Sequence, residues 1–202
     1  HGATSYRARP PIGRCAATRR WVTWSHAWIH PIVLERRKEI APRLQDFAAA
    51  GDLTIVDRIG DDVRGVATYV AQIEAAGKLD KVGCDPNGLG GMLDALIEAG
   101  VPEGKIIGIA QGWQLSGYIK TAERKLAEGV LVHGGQLMMA WCVSNARVEP
   151  RGNNIVITKQ ISGSAKIDPL LAVFNAVCLI SLNPGPPDSG ESYLNHADPI
   201  YL

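Results

Sequence analysis

From Lys81 to Ile109 a strand, a helix and a second strand follow one another with little between them. Lys81-Val82-Gly83-Cys84 is an apolar run of the buried-strand type. It ends at Asp85 and a Pro-Asn-Gly turn; Leu89 to Ala99 then reads as a helix closed by Gly100, and Ile106 to Ile109 as the next strand. Connections this short, with a helix between them, pair the two strands in parallel through a right-handed crossover. The chain must therefore build an α/β sheet with helices on its faces.

The rest of the sequence fits that plan. Leu53 to Val56 is a short apolar strand, and Asp61 to Ala76 places Val63, Val66, Ala67, Val70 and Ile73 on one helix face before Gly77. The charged stretch Ile32 to Ala50 reads as a helix that Pro42 ends or kinks. Lys120 to Glu128 and Leu137 to Asn145 are further helices, and Val148 with Ile155 to Thr158 flanks a hairpin turn. Ile167 to Leu182 is apolar nearly all round and should lie deep against the sheet. With 202 residues, 46% of them hydrophobic, the chain suffices for one core and one domain.

The two ends differ from the middle. His1 to Leu34 holds Arg7, Arg9, Arg14, Arg19 and Arg20 without an Asp or Glu, and only Trp21 to Trp28 reads there as a strand. After Asn183 the chain is rich in Pro, Gly and Ser and carries Asp188, Glu191 and Asp198 with no base, an acidic and flexible tail. Three segments are expected: an atypical stretch 1–20, a domain 21–184 and a tail 185–202. There is no initiator Met, as in a fragment or trimmed product.

Composition excludes several classes. Twenty-one basic and twenty acidic residues give a net charge of +1, so contact with nucleic acid needs local clustering. Cys15, Cys84, Cys142 and Cys178 lack zinc spacing and read as thiols of a reducing, cytosolic compartment. No apolar run is long enough for a membrane helix, and none resembles a signal peptide.

Chemistry on such a sheet belongs at strand ends. Asp85 ends a buried strand and Asp168 opens the last helix. Paired carboxylates on rigid elements bind Mg²⁺ or Mn²⁺, and two such ions activate water against a phosphodiester. Each residue also has a plainer reading. Asp85-Pro86-Asn87-Gly88 is a turn sequence, and Asp168 before Pro169 is a good N-cap. Lys120, Arg124 and Lys125 share a helix, and Lys159 and Lys166 flank the loop before Asp168; these side chains suit either phosphates or solvent. Gly88, Gly90 and Gly91 leave a nucleotide-binding α/β domain as a third class, without a full GxGxxG.

Several stretches resemble the large terminase subunits of tailed phages: HAWIHPIVLERRKEIAPRL at 26–44, KVGCDPNGLGGMLDAL at 81–96, IAQGWQLSGYIKTAERKLAEGVLVHGGQ at 109–136, MAWCVSNARVEPRGNNIVITKQ at 139–160 and SAKIDPLLAVFNAVCLISLNP at 164–184. The resemblance covers about residues 21 to 184 and implies the C-terminal nuclease domain, with an RNase H-like mixed sheet flanked by helices. It implies a metal-dependent endonuclease, phage- or prophage-encoded, that cuts concatemeric double-stranded DNA during genome packaging in the bacterial cytoplasm. Mg²⁺ or Mn²⁺ would be the cofactor, Asp85 and Asp168 the catalytic and metal carboxylates, and Lys159, Lys166, Arg124 and Lys125 the DNA contacts. The small terminase subunit and the portal would be partners, with Tyr193, Leu194, Ile200 and Tyr201 as apolar anchors of a docking tail. The isolated domain would be a monomer.

One family feature is missing. The family's opening strand carries an Asp in a Gly-Leu-Asp-like segment, and residues 1–20 here contain no carboxylate. Two readings follow: an endonuclease with little or no cleavage in Mg²⁺ and residual cutting in Mn²⁺, or an inactive remnant or docking module that binds DNA or the packaging machinery without cutting. If Asp85 and Asp168 crowd one another, neutralising either should stabilise the metal-free protein.

Overall fold

The computed structural model describes residues 6–9, 11–87, 90–159 and 166–182. Its strands are β1 (Tyr6–Arg9), β2 (Ile12–Arg14), β3 (Trp21–Thr23), β4 (His26–Ile29), β5 (Leu53–Ile55), β6 (Val82–Cys84), β7 (Ile106–Gly108), β8 (Leu131–His133), β9 (Ala146–Arg151) and β10 (Asn154–Lys159). Its helices are α1 (Ile32–Arg36), α2 (Ala41–Ala49), α3 (Asp61–Ala75), α4 (Gly90–Glu98), α5 (Ser116–Ala127), α6 (Leu137–Ser144) and α7 (Asp168–Ser181).

The strand–helix–strand unit forms as its short turns require. β6 and β7 are parallel, with Val82 opposite Ile106 and Cys84 opposite Gly108. Gly100 leaves α4 at φ 93°, a conformation that favours glycine. Two other strand groups are mixed. β4 pairs antiparallel with β1 and parallel with β5, while β3 pairs antiparallel with β2 and parallel with β8. β9 and β10 close a hairpin at Gly152-Asn153.

Residues 21–28 do not form the single strand expected of them. They split at Trp24-Ser25 into β3 and β4, which join different partners. The cause is one distant side chain. Gln136 accepts the Ser25 N–H through Oε1 at 2.6 Å and donates from Nε2 to the Ser25 carbonyl at 2.7 Å, so an amide replaces a neighbouring strand there. Nε2 also donates to Asp52 Oδ1 at 2.7 Å, and the Met138 N–H in the first turn of α6 donates to Asp52 Oδ2 at 3.3 Å. Asp52 is 7% exposed and capped on both oxygens, as a buried carboxylate must be.

The charged stretch 32–50 is likewise two helices. The break falls at Arg37 to Ile40, ahead of the proline, and Pro42 sits in the first turn of α2, where its missing N–H and fixed φ are tolerated. β1, β2 and β8 were illegible because strands of three or four residues in Gly-, Pro- and Arg-rich sequence carry no period; their pairing comes from β4 and β3. The expected tail, with Tyr193, Leu194, Ile200 and Tyr201, lies outside the described residues.

The core has three clusters. One gathers Ala27, Ile29, Val33, Leu44, Phe47, Met138 and Cys142; a second forms around Trp28, Val66, Val70, Met92 and Leu96; the third joins Leu115, Ile119, Val173, Phe174, Val177 and Ile180. Two glycines permit the closest approaches. A Cβ on Gly83 would stand 3.0 Å from Ile109 and 3.2 Å from Leu179, so β6 lies against α7. A Cβ on Gly65 would stand 2.6 Å from the Trp28 ring, so α3 rests directly on that indole. Gly65→Ala is expected to destabilise the fold by about 1–3 kcal/mol through overpacking. Thermal melts compare parent and variant, and an unchanged midpoint would contradict this packing.

Candidate functional site

Asp85 follows β6, and its surroundings are those of a turn. It is exposed, and its Oδ1 accepts the Asn87 N–H at 2.9 Å, the bond of an Asx turn. Gly83, two positions earlier, contacts the Asn175 carbonyl and Leu179. Gln111, beyond the end of β7, donates to Ile109 O at 2.7 Å and to Asn175 Oδ1 at 3.0 Å. These contacts set β6 and the segment after β7 against the middle and C-terminal half of α7. Asp168 opens that helix, about 10 Å before Asn175 at a rise of 1.5 Å per residue.

Asp168 departs from the N-cap expected of it. Helix α7 is capped at Ile167 with no side-chain hydrogen bond, and Asp168 and Pro169 are its first helical residues. The half-buried Asp168 carboxylate has one oxygen, Oδ2, that is buried and has no hydrogen-bond partner. An orphaned carboxylate oxygen beneath the surface costs free energy unless charge compensates it.

Compensation comes from the neighbours. Lys166 is only 7% exposed. Burial lowers the pKa of its ammonium; Asp168 pulls it back up, and Arg37 and Lys159 push it down. Two cations thus stand close enough to Lys166 to be felt, against one carboxylate. The buried Cys142 thiol is pushed up to about 12 by burial and by the Asp168 charge. Such a thiol is inert at neutral pH. The Asn145 side chain donates from Nδ2 to the Lys166 carbonyl at 3.1 Å and ties this corner to α6.

The four basic residues singled out by sequence therefore fall in two places. Lys159 and Lys166 belong with Asp168. Arg124 and Lys125 sit in the last turn of α5 and both face Glu128, at 3.7 Å and 2.9 Å. Lys125, then burial in the opposite sense, sets the Glu128 carboxyl, which ends below its ordinary pKa. Lys120 reaches the Asn153 carbonyl at 3.4 Å. Two residues of the Asp168 corner had no sequence signal: Arg37 was one charge in a charged stretch, and Asn145 was the end of an apolar helix. Among the described residues, no group of three His, Cys, Asp or Glu gathers where it could hold a metal ion. Gly90 and Gly91 open α4, and Gly88 lies outside the described residues.

Residues 35–182, well over half the chain, match the family model for the terminase large subunit, endonuclease domain. The chain belongs to that family. Its structure is similar to the crystal structure of the HK97 bacteriophage large terminase, with a TM-score of 0.68 and 17% identity. The match covers 86% of this chain and 39% of that one, so the chain spans well under half of that protein's length. No curated protein sequence matches. The fold is the expected α/β one, an RNase H-like mixed sheet flanked by helices. No helix among the described residues is long and apolar enough to cross a membrane.

Within this terminase domain, the neighbours of Asp168 reverse one expectation. Carboxylate crowding would make Asp168→Asn stabilising, whereas Asp168 favours the charged form of the buried Lys166 beside it. Asp168→Asn removes one negative charge that favours the buried Lys166 ammonium and should destabilise the metal-free protein, by on the order of 1 kcal/mol after solvent screening. Denaturant melts at pH 7 without divalent ions measure it. A more stable variant would restore the crowded-carboxylate picture, and no change would leave Asp168 a helix-start residue only.

Proposed function

We propose that the chain is the endonuclease domain of a phage or prophage packaging terminase, acting on phosphodiesters of concatemeric double-stranded DNA. The observation that carries this reading, beyond family membership, is the buried Asp168 oxygen without a partner at the edge of a cationic corner. A hydrolase needs such a pairing: positive groups to hold the phosphate and a carboxylate acceptor to orient the attacking water. Lys166 and Lys159 hold the phosphate; Asp168 orients the water; Asp85, at the carboxyl end of β6, is the second carboxylate. Arg124 and Lys125 contact the DNA backbone further away, their charge partly offset by Glu128. The small terminase subunit and the portal are its partners in the host cytoplasm.

A divalent ion, Mg²⁺ or Mn²⁺, would supply charge neutralisation at the phosphate and a more acidic water. Asp85 and Asp168 are the residues that would hold it. Two carboxylates do not fit a preloaded two-ion site, which takes oxygens from more elements in fixed geometry. The first-strand Asp of the family has no counterpart in residues 1–20. The same shortfall favours a second reading, a domain that binds the packaging machinery or DNA without cutting.

Supercoiled plasmid separates the two readings. The endonuclease reading expects slow nicking in Mn²⁺, less in Mg²⁺, and none after Asp168→Ala. Retained DNA binding with no nicking in either ion would establish the docking reading instead. Robust Mg²⁺-dependent cutting abolished by Asp85→Ala would mean that further groups complete a two-ion site.

A further inference from the structure

We propose that Trp113 is a stacking platform for an unpaired nucleobase of DNA, at the carboxyl edge of β6 and β7. Lys120 and Arg124 continue the platform along α5 as contacts to the phosphates of the same strand. The inference deepens the endonuclease reading and rests on it for the identity of the ligand as DNA.

The position of Trp113 follows from the strand pair. β6 and β7 are parallel, and the Ile109 N–H just past β7 donates to the Cys84 carbonyl at 2.7 Å, so the chain leaves β7 beside Asp85. The Gln111 side chain holds the Ile109 carbonyl and Asn175 Oδ1, which fixes the exit from the strand. Gly112, at φ 73°, turns the chain into the short 3₁₀ turn Gly112–Leu115. Four residues reach at most about 14 Å, so Trp113 stands no further than that from Ile109. Leu115 anchors the turn from below, buried in one cluster with Ile119, Val173 and Phe174. Ser116 Oγ accepts the Ile155 N–H at 3.0 Å and ties the end of the turn to β10.

The same turn leaves the indole outside. Trp113 is 60% exposed, whereas Trp21, Trp28 and Trp141 are buried and Trp24 stacks on His26. Among the described residues no aromatic ring faces Trp113. A Cβ on Gly112 or Gly117 would meet nothing within 4 Å, so the surface on either side of the turn is open. A flat apolar ring held rigidly in water is covered most fully by another flat ring. Bases inside a duplex already stack on their neighbours, but a base at a nick, frayed end or overhang has a face free. Beyond the turn, Gly117, Lys120 and Arg124 recur at intervals of three and four residues and so share one face of α5. Lys120 and Arg124 are about 6 Å apart along the helix axis at 1.5 Å per residue, on the scale of the step between neighbouring phosphates. Lys120 reaches the Asn153 carbonyl at 3.4 Å and Arg124 faces Glu128 at 3.7 Å, long exposed contacts that a phosphate can replace.

Anisotropy of labelled DNA, titrated with the whole chain in EDTA over a salt series, tests the platform without cleavage by comparing a blunt duplex with the same duplex carrying a single-stranded overhang. The parent should bind the overhang duplex more tightly. Trp113→Ala should weaken that binding about tenfold, the loss of one stacked base, and leave the blunt duplex nearly unchanged. Trp113→Phe should recover most of the loss. Lys120→Gln should lower the salt slope by about one on both duplexes; an unchanged slope would strike out the phosphate line. Tryptophan emission supplies a readout that poor folding does not imitate. Overhang DNA should quench the parent, and the quench should vanish in Trp113→Phe while persisting in Trp24→Phe. Equal weakening of both duplexes by Trp113→Ala would replace stacking with a groove contact and overturn the platform. Unchanged binding in Trp113→Ala, a quench that survives Trp113→Phe, or a parent that does not bind the overhang duplex would overturn it too. A chain that stacks DNA on Trp113 yet nicks no plasmid would sink the endonuclease reading alone, whereas one that nicks while ignoring Trp113→Ala would sink only the platform.

Discussion

Burial of helix α7 is the constraint on which the other elements depend. Val173, Phe174, Val177 and Ile180 are all buried, and the helix touches β1, β2, β6, α5 and α6. Each such side chain is worth about 1.5–3 kcal/mol removed from water, so the helix cannot shift without a large loss. The glycine at position 83 lets β6 come within van der Waals contact of it. A helix held so tightly fixes its own first turn. Lys166 and Asp168 therefore lie under the surface because the apolar residues after them are anchored, and their charges are felt through a medium poorer in water than the bulk.

A second constraint is polar. Asp52, Gln136 and Ser25 form a buried knot that cuts a potential strand in two and caps the first turn of α6 from outside. It ties β4 and β5 to α6, and α6 carries both Cys142 and Asn145 to the Asp168 corner. Opening this network would leave a carboxylate and an amide unsatisfied in the interior, a heavier penalty than an apolar contact of similar size. Sheet and site are in this way connected through hydrogen bonds as well as through apolar packing.

Local patterns made much of this legible. The β6–α4–β7 unit, the hairpin and α7 follow from apolar period and from Gly100 and Gly152 in conformations that glycine favours. What the sequence concealed was long-range. Nothing near Ser25 reveals that Gln136 will interrupt its strand, and nothing near Arg37 reveals that α1 will carry it to Lys166. Asp168 was recognisable as a candidate by type and position, but its plainer reading as an N-cap was equally open. The environment decided against that cap, with Ile167 in the cap position and Oδ2 without a partner. Asp85 shows the converse, since its turn chemistry is fully realised and its place at a strand end is compatible with a catalytic role without requiring one.

Family membership supplies the reaction class, and the carboxylates left at this sheet edge limit what the chain can hold before DNA arrives. Without a carboxylate in residues 1–20, Asp85 and Asp168 are too few to preload a two-ion site. Electron paramagnetic resonance of Mn²⁺ tests that claim most directly, because bound and hexaaqua ions give distinct signals. The account predicts that the free chain leaves the aqua signal nearly intact. Stoichiometric uptake of two Mn²⁺ by the chain without DNA would contradict it.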